Sequence, residues 1–302
     1  MRVFVTGASG LIGSAITQEL LSAGHQVIGL ARSDTSAQAL VDVGAQVHRG
    51  DLDDLESLKR GALQADGIIH TAFKHDMYAN PASFAANCET DRRAIEALGS
   101  VLVGSDRPFI VTSGTGVSPG RLATEDDPAP ANPRIPRVSD ATAMALAVNG
   151  VKVSVACMPR SVHGAGDHHG FVPRLIAIAR AKGVSAYIGE GLNRWPAVHR
   201  LDAGHLYARI LEKGSKGGRY FAVEDEGVST REIAEAIGRQ LKLPVVSKSP
   251  AEAADHFGPF LSMVLSLDCP ASSVKTQQLL GWRPTQIGLL ADIEKGSYFK
   301  NK

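Results

Sequence analysis

MRVFVTGASGLIG, residues 1–13, is an apolar run with β-branched Val3 and Val5, then glycines at 7, 10 and 13, then the start of a helical stripe. That order predicts a strand, a glycine turn and a helix. Each glycine has its own job: Gly7 permits the tight turn, Gly10 lets a pyrophosphate approach bare backbone, and Gly13 lets the helix pack close to the strand. The helix N-terminus adds unpaired N–H groups and the positive end of its dipole. Ile12, Ile16 and Leu20 continue at helical spacing, Gly24 stops the helix, and residues 26–30 supply a second strand. In that setting the pattern implies a dinucleotide site built from Thr6, Gly7, Ser9, Gly10, Leu11, Ile12 and Gly13.

With 302 residues the chain is long enough for a full core, and its composition, 44% hydrophobic and 21% charged with a formal net charge of +1, is that of a globular protein. Nothing in it suggests a nucleic-acid or membrane surface. No apolar run reaches the roughly 18 residues of a membrane span. Met1 adjoins a strand residue rather than a charged leader, so a cytoplasmic location is expected. Cys88, Cys157 and Cys269 are isolated, without CxxC spacing, and read as reduced structural residues.

About twenty residues beyond the glycine turn, where a carboxylate would hold the ribose of NAD, stand Ala31, Arg32 and Ser33. A guanidinium fork and a hydroxyl there suit the 2′-phosphate of NADP. Residues 35–43 read as a helix and 45–48 as a third strand ending at Gly50, Asp51 and Leu52. There Asp51 can accept from an adenine amino group, and Asp51 or Asp53 can cap the next helix. A fourth strand, 67–73, closes with His70, Thr71, Ala72 and Phe73 at the end where a doubly wound sheet opens its crevice, and the loop 74–78 should overhang it. A helix over 83–102 places Asn87 and Asp91 on one face. A fifth strand, 108–112, leads into Ser113, Gly114 and Thr115.

Residues 118–137 are rich in proline and read as a surface loop. Ser139 is positioned to cap a helix through 149, and 152–158 is a sixth strand ending in Pro159, Arg160, Ser161, Val162 and His163. Strand–helix alternation then fades. The expected architecture is α/β: a Rossmann-type doubly wound parallel sheet over 1–160 and a smaller C-terminal substrate lobe over 161–302, with part of 197–211 returning to the sheet. Ser229 with Glu232 forms a capping box in that lobe, and residues 279–284, LLGWRP, close it before a terminal helix.

These motifs, above all Thr6 to Gly13, Gly50-Asp51-Leu52, the Asn87 helix, Val198 to Asp202 and Leu280 to Pro284, resemble the extended or atypical short-chain dehydrogenase/reductase superfamily, often labelled NAD-dependent epimerase/dehydratase. The resemblance implies a nicotinamide held over Ser113 and Gly114, with Thr71, Ala72 and Phe73 lining the cofactor and Pro159, Ser161 and Val162 placing its carboxamide. It also implies a tyrosine acid four residues before a lysine, whose charge lowers the tyrosine pKa. Here that pair is missing: Pro136, Arg137, Val138, Ser139 and Asp140 stand in its place. Ser113 or Thr115 can still bind a carbonyl oxygen. Candidate proton donors near the crevice are His75, Tyr78, His163 and Tyr187.

The run from His163 through Asp167, His168 and His169 has metal-ligand residue types, but its glycines fit a substrate loop better, and no metal is expected. Phe171, Tyr187 and Trp195 read as pocket walls or core. The leading expectation is an NADP-dependent reductase of a carbonyl in a small, largely apolar molecule. The alternatives are a non-catalytic NADP-binding sensor, or a nucleotide-sugar epimerase or dehydratase, against which the missing pair counts. The resemblance further implies a homodimer joined through helices 83–102 and 139–149.

Overall fold

The computed structural model describes residues 1–75, 81–118, 120–127, 136–296 and 298–299. Strand β1 (Arg2–Thr6) runs through the glycine turn into α1 (Leu11–Ser22) and returns as β2 (Gln26–Ala31), as the opening stretch predicts. The same unit repeats through α2 (Asp34–Asp42), β3 (Gln46–Arg49), α3 (Leu55–Leu63) and β4 (Gly67–His70). It continues through α4 (Phe84–Ser100), β5 (Phe109–Gly114), α5 (Ser139–Val148) and β6 (Val153–Met158).

These strands and β10 (Arg219–Phe221) form one seven-stranded parallel sheet in the order β10-β6-β5-β4-β1-β2-β3. Its strands are near-continuous apolar runs because helices cover both faces; every residue of β6 is buried. One core fills the side that carries α1 and the other the side that carries α3 and α4. The strand order reverses between β1 and β4, and a ligand crevice opens beyond the carboxyl ends there.

The C-terminal lobe holds a three-stranded sheet of β11 (Asp225–Ser229), β9 (Arg194–His199) and β7 (Ser161–His163). A two-stranded sheet joins β12 (Val245–Lys248) to β8 (Ser185–Ile188). Around them pack α6 (Phe171–Lys182), α8 (Thr230–Leu241), α9 (Pro250–Phe257), α10 (Pro259–Leu265) and α12 (Leu289–Lys295), with a core of their own. The expected capping box, Ser229 with Glu232, opens α8.

Several elements sit elsewhere than the sequence reading places them. From 197–211 the helix returns: α7 (Arg200–Lys213) packs so closely on α1 that a Cβ on Gly204 would lie 2.9 Å from the Ala15 carbonyl carbon. Strand β9 instead stays in the lobe sheet, and β10 is the strand that rejoins the main sheet, beside β6. With three residues, β10 carries too little pattern to read. Trp282 does not close the lobe. It is fully buried in the core shared by α1 and α7, its indole N–H donating to the Asp202 carbonyl at 3.0 Å, and α11 (Val274–Leu280) leads into it. Asp54, not Asp51 or Asp53, caps α3 by accepting from Ser57 N. Ser139 opens α5 without capping it, because its hydroxyl is committed to Asp91.

Candidate active site

The glycine turn is shaped as its spacing demands. Gly7 has φ +72°, and a Cβ there would lie 2.7 Å from Thr71 Oγ1. A Cβ on Gly13 would lie 1.9 Å from the Gly7 carbonyl oxygen, so the first turn of α1 rests on bare backbone. Gly10 meets only the Gly7 oxygen, at 3.2 Å, and is otherwise open. It is also the N-cap of α1, with no side-chain cap and no acidic residue in the first turn. Uncapped N–H groups behind an open glycine make a cradle that fits a dinucleotide pyrophosphate. Arg200, which no local pattern flags, donates to Leu11 O at 3.0 Å and Ser14 Oγ at 2.7 Å, adding a cation beside that turn.

At the end of β2, Arg32 is exposed and makes no hydrogen bond or ion pair among the described residues. Ser33 is occupied in another way: its oxygen caps α2 through Ser36 N. Asp51 accepts from the N–H groups of Asp53 and Asp54, which orders the loop after β3, and Leu52 is buried beneath it. Lys74 pairs with Asp53 at 2.7 Å across the same rim.

Beyond β1 and β4 a buried polar chain begins. Thr6 Oγ1 lies 2.8 Å from His70 Nδ1, and His70 Nε2 lies 3.1 Å from Asp91 Oδ1. Ser139 donates to Asp91 Oδ2 at 2.5 Å and accepts from Arg137 Nε at 2.9 Å. Arg137 also donates to Thr112 O at 3.2 Å and lies 4.4 Å from the Phe73 ring centroid. Every partner is complementary when His70 carries its proton on Nε2 and accepts the Thr6 hydroxyl at Nδ1. Burial opposes ionisation of Asp91, but the hydrogen bonds from His70 and Ser139 and the charge of Arg137 more than offset it, so its pKa falls below the usual carboxylate range.

Ser113 and Thr115 sit at the carboxyl end of β5, both largely buried and neither hydrogen-bonded through its hydroxyl among the described residues. Thr112 is instead tied to His70 O and to the Tyr207 hydroxyl at 2.6 Å. His75 lies edge-on to Phe73, ring centroids 5.4 Å apart. Burial of the imidazole, then the charge of Arg137, holds its pKa below the ordinary value. Pro159 and Ser161 are buried where β6 passes into β7.

Other candidates lie apart from this crevice. His163 is fully buried, with Nδ1 2.9 Å from Asp292 Oδ2, and its remaining nitrogen is sealed from solvent, so it cannot serve as an acid for a bound ligand. Trp195 is fully buried in the lobe core against Phe171, and is packing rather than a pocket wall. Tyr187 is on β8, whose partner is β12, and lies under the Arg231 guanidinium, 5.6 Å from centroid to carbon. Tyr78 falls outside the described residues. Asp167 accepts from Tyr298 and Gly170 N, and no group of three or more metal-ligating side chains occurs among the described residues. All three cysteines are buried; burial pushes Cys88 up to about 11 and Cys157 up to about 12, which keeps both as neutral thiols. No helix among the described residues is long and apolar enough to cross a membrane.

Comparison with known proteins agrees with this fold. The profile of the NAD dependent epimerase/dehydratase family matches residues 3–223. A Schizosaccharomyces pombe protein, C2A9.02, is 50% identical over 302 residues, 99% of this chain and 100% of that one. A Stigmatella aurantiaca protein named 4-hydroxy-2-methyl-3-oxo-4-farnesyl-3,4-dihydroquinoline-1-oxide ketoreductase is 28% identical over 85% of this chain and 80% of that one. Among solved structures, the dTDP-glucose 4,6-dehydratase DesIV of Streptomyces venezuelae superposes with a TM-score of 0.79 at 22% identity, covering 98% of this chain and 95% of that one.

Proposed function

The chain belongs to the NAD-dependent epimerase/dehydratase family, and from that membership we propose that it is an NADP-dependent oxidoreductase that reduces the carbonyl of a small, largely apolar molecule. The observation that carries the proposal is Arg137: a cation held by Ser139 and Thr112 over Phe73, where the family's tyrosine and lysine are absent. The ketoreductase among its relatives supports the choice of reaction. A proton shuttle at a sugar hydroxyl rests in this family on the tyrosine and lysine pair that is missing here, which disfavours an epimerase or dehydratase.

Bound NADPH would supply hydride to the carbonyl carbon. The glycine turn would hold the pyrophosphate on the α1 N-terminus, and Arg32 the 2′-phosphate. Ser113 would donate its hydroxyl to the carbonyl oxygen, and Arg137 would stabilise the negative charge that develops there. The imidazole of His75, edge-on to the Phe73 ring over which Arg137 lies, would release a proton to that oxygen. Because its pKa is lowered, the protonated form is a minority at neutral pH, and reduction should slow as pH rises through that pKa.

The test is fluorescence titration with NADPH and NADH, then single-turnover oxidation with a panel of ketones and aldehydes. Ser113→Ala and Arg137→Met should each lower the rate by roughly a hundredfold with NADPH binding retained, and His75→Ala should remove the pH dependence. Tight NADPH binding without oxidation by any carbonyl would favour the second reading, a non-catalytic NADP sensor, for which the missing tyrosine and lysine already speak.

A further inference from the structure

Arg160 stands where the chain leaves β6 for β7, at the step from the main sheet into the lobe. Ser113 pairs with Cys157 across the sheet, so Arg160 lies three residues past the Ser113 register, on the order of 10 Å along the strand direction. An arginine side chain covers much of such a gap.

Among the described residues, Arg160 is the one partly buried arginine with no ion pair and no oxygen acceptor, its one polar neighbour being the Cys269 thiol. Arg107 is held by three carbonyl oxygens, Arg137 and Arg200 by the contacts given above, and Arg219 by Asp140 at 2.9 Å. Arg160 Nε is sealed from solvent and has no partner. Its guanidinium lies beside the Cys269 thiol, but burial pushes the pKa of that thiol up against the opposing influence of Arg160, so the neighbour is neutral rather than a counter-ion. The adjacent acid is also taken: Asp268 is bound to Arg194 at 2.9 Å. A cation partly stripped of water with no counter-ion is costly, and among the described residues only a weak, neutral thiol partner stands against that cost.

We infer that Arg160 anchors a carboxylate of the substrate, so that the preferred substrate is an oxo acid whose carboxylate docks on Arg160 while its carbonyl meets Ser113. The inference rests on the reductase reading above and narrows its substrate class. A guanidinium fork matches the two oxygens of a carboxylate. One unpaired cation beside a neutral thiol and a proline balances one negative charge, not the two of a phosphate monoester.

The experiment measures calorimetric binding of a medium-chain oxo acid and of its methyl ester to the NADP-loaded protein, with NADPH oxidation followed in parallel. The wild type should bind the acid at least about tenfold more tightly than the ester. Arg160→Gln should erase that preference, raising KM for the acid while kcat and NADPH affinity hold, and Arg160→Lys should restore part of it. Thermal melting of Arg160→Gln should be no lower than wild type, since the change removes an unpaired charge; if that variant does not fold, Arg160→Lys carries the comparison through a weakened preference. Equal affinity for acid and ester, an acid preference that survives loss of the guanidinium, or stronger competition by inorganic phosphate than by the acid each overturns the inference. Binding is read without turnover, so tight, Arg160-dependent binding of the acid with no NADPH oxidation would sink only the reductase reading.

Discussion

The two ends of the crevice are built on opposite principles. Around Gly7, Gly10 and Gly13 the site is bare backbone, fixed by what a Cβ would strike, and its residues are close neighbours in the chain. Around Arg137 it is side chain upon side chain: Thr6, His70, Asp91 and Ser139 come from separate strands and helices and bond in sequence, and the Thr112 backbone carbonyl closes the chain on Arg137. On the proposed function the first end would grip a group common to all dinucleotides, and a Cβ on Gly7 or Gly13 would strike backbone or side-chain atoms there. At the second, on the proposed function, a guanidinium linked through Ser139 to a buried carboxylate relay would stand in for the family's lysine charge. Backbone sites keep their sequence signature, whereas networks can be rewired as long as every buried donor and acceptor finds a partner.

If that contrast holds, the largest single loss of stability lies in the relay. Asp91→Ala leaves His70 Nε2 and Ser139 without their acceptor in a fully buried place, and should cost about 3–5 kcal/mol, a large part of a domain's total stability. Urea unfolding measures it; a cost near that of a surface substitution would show the relay to be slack. The pH dependence sharpens the point. Since the folded pKa of Asp91 is depressed, its contribution is present above the unfolded carboxylate value and lost as pH falls through the folded one. The stability gap between wild type and Asp91→Asn should therefore close on acidification. Asp140, next to Ser139 in the chain, has the opposite sign: burial raises its pKa against the pull of Arg219, so its contribution is fully present in acid and is lost as pH rises through the folded value.

The backbone end should break differently. A Cβ on Gly13 would meet the Gly7 carbonyl oxygen at 1.9 Å, and no side chain is there to move aside. Gly13→Ala should cost roughly 1–3 kcal/mol, the range for overpacking, and abolish the thermal shift expected of NADPH on the wild type, because the turn itself must open. Retained NADPH stabilisation would mean that the pyrophosphate is held elsewhere.

Legibility in the sequence follows the same division. Strand β1, the glycine turn, α1 and the parallel sheet as far as β6 are readable because period and spacing are local. Asn87 and Asp91 can be placed on one helix face, but nothing local says that His70 and Ser139, 21 and 48 residues away, close on Asp91. Arg200 meets Leu11 across 189 residues, and Ser139 looks like a helix cap until its hydroxyl is seen to be taken. The one available signal for the relay is a polar residue ending a wholly buried strand: His70 closes β4 with 1% of its surface exposed, a place where an unpaired imidazole would be costly. Trp195 and His163 mislead for the complementary reason. Aromatic and imidazole side chains have the same local pattern in a pocket wall as in a core, and only the packing of α6, β9 and α12 seals them.

The smallest expected effect tests whether the backbone end discriminates at all. Pyrophosphate recognition is common to NAD and NADP, so preference must come from side chains at the β2 end, where Arg32 is unpaired. Arg32→Ala should weaken NADPH binding by roughly ten- to a hundredfold, the worth of a charge-assisted hydrogen bond, and leave NADH nearly unchanged. Equal losses would remove Arg32 from the 2′-phosphate. Asp34 provides the finer control. Its side chain is 99% exposed and bound to Arg49 at 2.6 Å, so it neutralises a second cation near where the proposed 2′-phosphate would lie. Asp34→Asn should leave stability almost untouched, as exposed pairs do, while freeing Arg49 and tightening NADPH within about fivefold at low salt. If added salt does not erase that gain, the field at the β2 end is not what reads the phosphate, and the preference would have to lie in contacts deeper in the crevice.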